Sequence, residues 1–280
     1  MNTHKRLIFA FICLLSFIPA AGLAQAFSPV TPCISEPYDY SYQDERLSIA
    51  IDKVEQQDLA YFVVDVQVSE PTVLQAGLSR DKPNGGSQAV STIASRNGAV
   101  LAINADNYGF HEYGTIIRNG QLIRAKATTR NMLVVDANGD MSIRVDRKKE
   151  KPSELGKKMI ELGVWQTFEF GPELVRDGQA VTFSESFDVI STSDSRREPR
   201  TAIGQIGPLH YLIIVADGRS EGYSLGMTLP ELQQLFVSYG AKTALNLDGG
   251  GSTELYFNGE IISRPSGGVE RAVSDVIMFK

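Results

Sequence analysis

The sequences LSIAI at residues 47–51 and YFVVDVQV at residues 61–68 predict two paired β-strands. In the first, large apolar side chains alternate with smaller ones, as expected for a strand that buries one face. The second is rich in β-branched residues, which favour the extended backbone of a sheet. A wholly apolar segment, VLAI at residues 100–103, indicates another strand at the centre of a sheet. We therefore expect β-sheets to organise the fold.

Tight turns join most of the other predicted strands. Four Asn-Gly or Asp-Gly pairs separate strand-like runs, and such pairs favour two-residue hairpins. They are Asn119-Gly120, Asn138-Gly139, Asp177-Gly178 and Asn258-Gly259. Helices are predicted at residues 87–96, 153–161 and 228–240, the last beginning with a capping box, and further strands at 241–247 and 272–279. The sequence therefore predicts a mixed α+β domain with largely antiparallel sheets and a few packed helices.

The chain has 280 residues and a formal net charge of −6. This length accommodates one large domain, and neither an internal repeat nor a composition break divides it. Nucleic-acid-binding proteins concentrate Lys and Arg to neutralise phosphates, so the acidic balance argues against nucleic acid as a partner.

The N-terminus carries the pattern of a secretory signal. Lys5 and Arg6 precede an apolar run at residues 7–18, and Ala24-Gln25-Ala26 fits a cleavage site. We predict a signal peptide at residues 1–26 and a secreted or extracytoplasmic, cell-envelope location. The alternative is an uncleaved anchor, but the apolar run is short for a bilayer. No later segment predicts a transmembrane span. Residues 27–45 are expected to form a linker or poorly ordered arm, and residues 46–280 the domain.

The most unusual segment is NLDGGGST at residues 246–253, between two apolar strands. Three consecutive glycines cost conformational entropy, so such a loop indicates a close backbone approach or exposed N–H groups that bind an anion. The alternative is a flexible hairpin. A nucleotide P-loop lacks its Gly-Lys-Ser/Thr ending here, and a Rossmann fingerprint lacks its spacing. Ser252 lacks the G-x-S-x-G elbow of a nucleophile.

These residues resemble the phosphodiester glycosidase family. The C-terminal signature comprises residues 244–253, Asn258-Gly259, residues 264–266 and Glu270-Arg271. Upstream, residues 103–108, 200–204 and 215–219 are similar to further motifs of the family, in the same order. Two positions depart from the pattern: Asn107 replaces an aromatic residue, and Glu254 stands where many members have an uncharged residue. The resemblance covers residues 46–280 and implies a single catalytic domain.

The resemblance implies an exported hydrolase that cleaves the glycosidic bond of a sugar-1-phosphodiester, such as a GlcNAc-1-phosphodiester, in cell-envelope or exopolysaccharide metabolism. The expected partner is a sugar phosphodiester or glycan phosphate. Such a reaction passes through an oxocarbenium-like transition state, usually served by two carboxylates, and arginine matches phosphate oxygens. The predicted catalytic residues are Asp248, Asp106, Arg200 and Asp217. The predicted substrate- and phosphate-binding residues are Asn104, Arg219, Asn246, Gly249, Gly250, Gly251, Ser252, Thr253, Arg264 and Arg271.

Within this set, Asp248 and Asp106 are expected to flank the anomeric carbon, as base or nucleophile and as electrostatic stabiliser. Arg200 and Arg264 are expected to hold the phosphate with the backbone of the glycine loop. Turn capping is the alternative for each aspartate, and a surface ion pair is the alternative for Glu270 and Arg271.

The cofactor is left open. A divalent cation such as Ca²⁺ suits the oxygen ligands near Asp248, whereas zinc would need a His or Cys cluster. Two other functions remain alternatives: a non-catalytic glycan-binding protein of the cell envelope, and a phosphodiesterase that cuts the P–O bond. The sugar, the group beyond the phosphate and the stereochemical outcome stay undetermined.

Overall fold

The computed structural model describes residues 27–145, 151–183 and 195–280, so the predicted signal peptide at residues 1–26 lies outside the described residues. The strands are β1 (Tyr40–Gln43), β2 (Leu47–Gln56), β3 (Leu59–Val68), β4 (Leu74–Leu78), β5 (Leu101–Asn104), β6 (Thr115–Arg118), β7 (Gln121–Ala125), β8 (Asn131–Val135), β9 (Met141–Arg144), β10 (Gln166–Phe170), β11 (Glu173–Arg176), β12 (Gln179–Ala180), β13 (Arg200–Gly207), β14 (His210–Ala216), β15 (Thr243–Asn246), β16 (Leu255–Phe257), β17 (Glu260–Ile261) and β18 (Asp275–Phe279). The helices are α1 (Val90–Arg96), α2 (Pro152–Glu161) and α3 (Leu229–Ser238).

The largest sheet contains eight strands in the order β1-β2-β3-β14-β13-β15-β11-β12, and each neighbouring pair is antiparallel. In its centre, Arg200 of β13 lies opposite Ala216 of β14, and Ala202 lies opposite Asn246 of β15. The start of β13 and the ends of β14 and β15 therefore meet at one edge of the sheet.

A five-stranded antiparallel sheet, in the order β17-β16-β5-β18-β4, packs against this large sheet. Because side chains alternate between the faces of a strand, Ile277 and Phe279 point into the interface between the sheets. Val276 and Met278 point to the opposite face. The end of β5 and the start of β16 lie in register, since Ile103 pairs with Leu255.

Helices cover the outer faces of both sheets. Helix α3 packs Leu232 and Phe236 against the large sheet, and α1 packs Val90 and Ile93 against the smaller one. Helix α3 begins with the predicted capping box, in which the Thr228 side chain accepts from the backbone of Glu231 and the Glu231 side chain accepts from the backbone of Thr228. The result is a layered arrangement of helix, sheet, sheet and helix.

Two smaller sheets complete the described structure. One has three strands in the order β10-β8-β9, and the other is the β6-β7 hairpin. Helix α2 packs Met159 against Ile117 of β6 and Met132 of β8. The two smaller sheets and helix α2 therefore pack the segment that follows β5 against the rest of the molecule.

The structure confirms the predicted fold class, because antiparallel sheets dominate and a few helices pack on them. All four predicted hairpin turns lie between paired strands. The first, third and fourth pairs have positive φ at both turn residues, whereas in Asn138-Gly139 the positive φ falls on the glycine. Helix α1 begins at Val90, three residues later than expected.

The expectation of a linker or poorly ordered arm over residues 27–45 needs correction. Tyr40–Gln43 form β1 and pair with β2 at the edge of the large sheet. Further upstream, the Val30 N–H donates to Gln67 Oε1 at 2.6 Å and the Cys33 N–H donates to Asp65 Oδ2 at 2.7 Å. Polar side chains in β3 therefore hold the arm on the domain.

In the part of the chain that is described, none of the helices has both the length and the apolar character needed to cross a membrane.

We expect Leu245→Ala to lower the free energy of unfolding by about 2–5 kcal/mol, because it deletes a side chain enclosed between the two sheets. Leu245 is 0% exposed. Urea denaturation monitored by circular dichroism measures the change. The matched control is Leu162→Ala, because Leu162 is 66% exposed and should change stability by under about 0.5 kcal/mol. Equal losses in both variants would contradict the assigned core.

Candidate functional site

The glycine-rich loop carries the chain from the large sheet to the smaller one. It leaves β15 after Asn246, forms a 3-10 turn at Gly250–Ser252 and enters β16 at Leu255. Within it, the N–H of Gly250 donates to Pro199 O at 2.9 Å. The N–H groups of Ser252 and Thr253 donate to carbonyls of the loop itself, each at 3.2 Å. These three N–H groups are therefore engaged within the protein, and the expectation that the loop backbone binds phosphate remains a prediction.

Each of the three glycines meets a different constraint. A Cβ built on Gly249 would lie 2.7 Å from Pro199 O, which is too close for any other residue. Gly250 has φ +60°, a conformation that favours glycine. A Cβ on Gly250 would lie 3.0 Å from Arg219 Nη2, and one on Gly251 would lie 3.4 Å from Arg271 Nη1. The loop is thus flanked by the guanidinium groups of Arg219 and Arg271, which occupy space that side chains at Gly250 and Gly251 would enter.

The buried Asn104 side chain holds the glycine loop in place. Its Nδ2 donates to Asp248 O at 2.6 Å, and its Oδ1 accepts from the Thr201 hydroxyl at 2.7 Å and the Glu254 N–H at 3.3 Å. Because Asn104 ends β5 and Thr201 lies in β13, this buried side chain links the two sheets at the site. Asn104 therefore holds the loop in place, and the substrate-binding role expected from sequence remains a prediction.

Asp248 lies half-buried in the loop, and burial raises the pKa of its carboxyl. Hydrogen bonds from the Ser252 hydroxyl and the Gly249 N–H oppose this effect, as do the charges of Arg271 and Arg130, which all lower the pKa. Asp248 is thus a carboxylate that keeps access to solvent and lies in a positive field. This combination suits a group that reacts at a centre bearing an anionic substituent.

Arg219 and Arg271 provide the charge beside the loop. Arg219 has φ +58° and its Nε donates to Glu198 Oε2 at 2.6 Å, which orients the guanidinium. Arg271 is exposed, and its backbone N–H donates to Glu254 Oε1 at 2.7 Å. Both cations were predicted from sequence as phosphate-binding residues, and the structure brings them together at the glycine loop.

Asp106 occupies a different environment from the one predicted. It is 0% exposed; its Oδ1 accepts from Arg118 Nη2 at 2.7 Å, and its Oδ2 accepts from the Glu169 N–H at 2.7 Å. Arg118 is also buried and pairs with Asp275 at 2.9 Å. Asp106 thus belongs to a buried ion network in which both of its oxygens are engaged, and the expected role beside the anomeric carbon remains a prediction.

Three other predicted residues, Arg200, Asp217 and Arg264, contact neighbouring backbone or aromatic groups of the protein. Arg200 Nε donates to Met227 O at 3.0 Å, and its Nη2 donates to Arg196 O at 3.0 Å. Asp217 is buried and accepts from the Tyr223 hydroxyl and the Arg264 N–H, each at 2.9 Å. Arg264 lies over the Tyr223 ring, 4.9 Å from its centroid. The Arg200 guanidinium thus bonds to backbone carbonyls and that of Arg264 lies over an aromatic ring, and the phosphate clamp expected of them remains a prediction.

The remaining predicted residues are buried around the loop. Asn246 Nδ2 donates to Gly171 O at 2.8 Å, which ties the loop to the segment before β11. Ser252 is 3% and Thr253 1% exposed. Within the described residues, Asn246 Oδ1 and Thr253 Oγ1 are buried without a hydrogen-bond partner. These side chains form the base of the loop.

A metal ion was left open from sequence. Among residues 27–145, 151–183 and 195–280, no three His, Cys, Asp or Glu side chains are grouped so that they could hold one. The carboxylates expected near Asp248 are engaged elsewhere, as Asp106 and Asp217 show.

Sequence reasoning missed two contributors to the site. Arg130 lies 5.0 Å from the centroids of both the Tyr113 and Phe170 rings, and its charge lowers the pKa of Asp248. Glu254, noted from sequence as a departure from the family pattern, is fully buried beside the loop. A burial pattern in β16 could have indicated the enclosure of Glu254, whereas no sequence signal distinguishes Arg130 from other loop arginines.

Comparisons with known proteins identify the family of the chain. The model of the phosphodiester glycosidase family matches residues 92–280. An uncharacterised protein derived from the SPbeta prophage of Bacillus subtilis strain 168, YomE, is 33% identical over 199 residues. That match covers 68% of this chain and 29% of the relative, so it spans less than a third of the relative's length.

Solved structures share the fold. The catalytic domain of zebrafish N-acetylglucosamine-1-phosphodiester alpha-N-acetylglucosaminidase, auto-inhibited by its pro-peptide, matches with a TM-score of 0.68 and 18% identity. The match covers 86% of this chain and 85% of that chain. A hypothetical protein from Synechocystis matches with a TM-score of 0.51 and 18% identity, over 84% of this chain and 62% of that chain. At these identities the likeness concerns the fold alone.

We expect Asp106→Ala to lower the free energy of unfolding by about 3–5 kcal/mol, because it leaves a buried arginine without one of its carboxylates. Glu70→Ala serves as the control. Glu70 pairs with Arg46 at the surface and should contribute under about 1 kcal/mol. Chemical denaturation compares the two variants. A loss of activity without a loss of stability in Asp106→Ala would instead restore the catalytic role predicted from sequence.

Proposed function

The chain belongs to the phosphodiester glycosidase family, and we propose that it hydrolyses the glycosidic bond of a sugar-1-phosphodiester to free sugar and a phosphomonoester. One observation carries the proposal. A half-buried carboxylate, Asp248, lies on a glycine loop that is flanked by two arginines, Arg219 and Arg271. A carboxylate and cations in this arrangement match the two requirements of the reaction, which are attack at the anomeric carbon and stabilisation of the departing phosphate.

The arginines would hold the phosphate. Guanidinium groups form bidentate hydrogen bonds with phosphate oxygens, and Arg219 is oriented for this by Glu198. The glycines let both guanidinium groups approach the loop backbone, since any side chain at Gly250 or Gly251 would crowd them. A phosphate bound there would lie beside the Asp248 carboxylate.

Asp248 would act at the anomeric carbon, as a base that takes a proton from water or as the nucleophile. The bond between the carbon and the phosphate oxygen breaks, and its electron pair leaves with the phosphomonoester. A phosphate is a good leaving group once its charge is neutralised, so arginines reduce the need for a second carboxylate as acid. This accounts for a site in which Asp106 and Asp217 have structural roles.

The substrate class and location extend this proposal. A GlcNAc-1-phosphodiester is the first substrate to test, because the zebrafish protein with the same fold is named for that bond. The predicted signal peptide supports export, and an exported enzyme of this kind would act on envelope or exopolysaccharide sugar phosphates. The alternative is a protein that binds a sugar phosphate at the same glycine loop without turnover.

Incubation of residues 27–280 with UDP-GlcNAc or a methyl-phosphate diester of GlcNAc, followed by NMR, tests the reaction. We expect free sugar and an intact phosphomonoester, and the first anomeric signal reveals retention or inversion. Asp248→Asn should lower kcat by about 10²- to 10⁴-fold while the protein stays folded, because the amide has nearly the same size and keeps one acceptor oxygen but lacks the charge and cannot act as base or nucleophile. Sugar-1-phosphate as product, or full activity of Asp248→Asn, would contradict the mechanism.

Arg219→Ala and Arg271→Ala should each lower kcat/KM by about 10- to 100-fold, because each removes charged hydrogen bonds to phosphate. In Arg271→Ala, the acid limb of the pH–activity profile should also move to higher pH. Asp248 must be ionised, and loss of the Arg271 charge raises its pKa further. Steady-state kinetics across pH measure both effects. Arg46→Ala, a surface arginine paired with Glu70, is the control and should match the wild type.

A further inference from the structure

Glu254 is a buried carboxylate that the proposed reaction does not use. It lies at 0% exposure between the glycine loop and β16. Its Oε1 accepts the Arg271 N–H at 2.7 Å. Its Oε2 makes no hydrogen bond of standard geometry among the described residues, although it is enclosed and the Val90 N–H lies near the carboxyl. An enclosed carboxylate oxygen without a well-formed hydrogen bond is costly, and protonation of the carboxyl removes that cost.

Glu270 is the carboxyl that lies within hydrogen-bond reach of Glu254. Glu270 is itself anchored to α1, because its Oε2 accepts the Ser91 N–H at 2.9 Å and its Oε1 accepts the Ser91 hydroxyl. Two ionised carboxylates cannot bond to each other, because neither carries a hydrogen. A hydrogen bond between these two carboxyls therefore needs one proton between them.

The pair forms the middle of a continuous chain of hydrogen bonds. It begins at Ser91 in α1, passes through Glu270 and Glu254, and ends at the backbone of Arg271. The Arg271 side chain then lies against Gly251. The backbone of this exposed arginine is consequently held by a buried carboxyl.

We propose that Glu254 and Glu270, joined by one shared proton, form a positioning device that holds Arg271 at the glycine loop for anion binding. Glu254 carries the proton and donates it to Glu270. Loss of that proton places two negative charges in contact, which displaces the 270–271 segment and weakens the anion site. The link to phosphate rests on the proposed function, whereas the shared proton does not.

The electrostatics agree with this geometry. Burial, followed by the charge of Glu270, raises the pKa of Glu254 to about 8, although N–H groups of Arg271 and Val90 lower it. Among the described residues, the titratable group facing Glu254 is thus Glu270, while Arg271 and Val90 contribute backbone N–H groups. The adjacent Ser91 of α1 contacts Glu270.

Glu254→Gln tests the shared proton. The amide donates to Glu270 and accepts from Arg271 as the protonated acid does, but it does not ionise. Because the folded pKa of Glu254 is raised, its favourable contribution is complete at low pH and is lost as pH rises towards about 8. The melting temperature of Glu254→Gln should therefore exceed that of the wild type increasingly from about pH 5 to about pH 8, and by a constant amount above it.

Sulfate binding tests the positioning of Arg271, because the charge of sulfate is constant over this range. By calorimetry, the wild type should lose about 3- to 10-fold in affinity between about pH 6 and about pH 9. Glu254→Gln should keep its affinity, and Glu254→Ala should be weak at both values. Glu270→Gln provides a second variant with the same expected insensitivity to pH. The control is Glu260→Gln, an exposed glutamate on β17 that should behave as the wild type.

The outcomes separate the two proposals. If Glu254→Gln shows the same pH dependence of melting and sulfate binding as the wild type, the shared proton is overturned, whatever the activity. If melting responds as expected but sulfate affinity does not, the pair has no positioning role. If both respond but sugar phosphodiesters are not hydrolysed, the inference stands and the proposed function fails.

Discussion

Packing of the eight-stranded sheet on the five-stranded sheet is the constraint on which the site depends. Apolar side chains from alternate positions of β3, β14, β5 and β18 fill the interface and remove both faces from water. That burial fixes the ends of β15, β13 and β5 at one edge. Asn104 then spans the two sheets with hydrogen bonds to Asp248 and Thr201. The glycine loop is therefore placed by the core and held by one buried amide.

Burial also divides the charged residues into two groups. Arg118 lies between Asp106 and Asp275 with almost no exposure, and the rings of Phe168 and Tyr108 lie 4.4 and 5.1 Å from its guanidinium carbon. Such groups are costly to separate, so they stabilise one arrangement of the chain beneath the site. Asp248, Arg219 and Arg271 retain access to solvent. These are the groups that can meet an anionic sugar derivative.

The glycine loop connects the buried charged residues with the solvent-accessible ones. Its glycines allow Arg219 and Arg271 to approach the backbone, while Glu254 anchors the Arg271 N–H from the buried side. The chemistry proposed for the site thus depends on interior groups that never touch substrate. A change in the protonation of an interior carboxyl pair can reach the surface because a single backbone contact connects them.

Most strands, turns and helices of the fold can be predicted from local sequence patterns. Strand periodicity, four hairpin turns and the Thr228 capping box act between neighbours in the chain, so local rules predict them. The glycine loop and the motif residues could likewise be recognised from the sequence. Tertiary structure decided which motif residues face solvent: Asp106 and Asp217 are enclosed, and Arg200 bonds to backbone, while Asp248 stays accessible. Residue type reveals that a carboxylate is present, but its role follows from its exposure and partners, and those come from segments far apart in sequence.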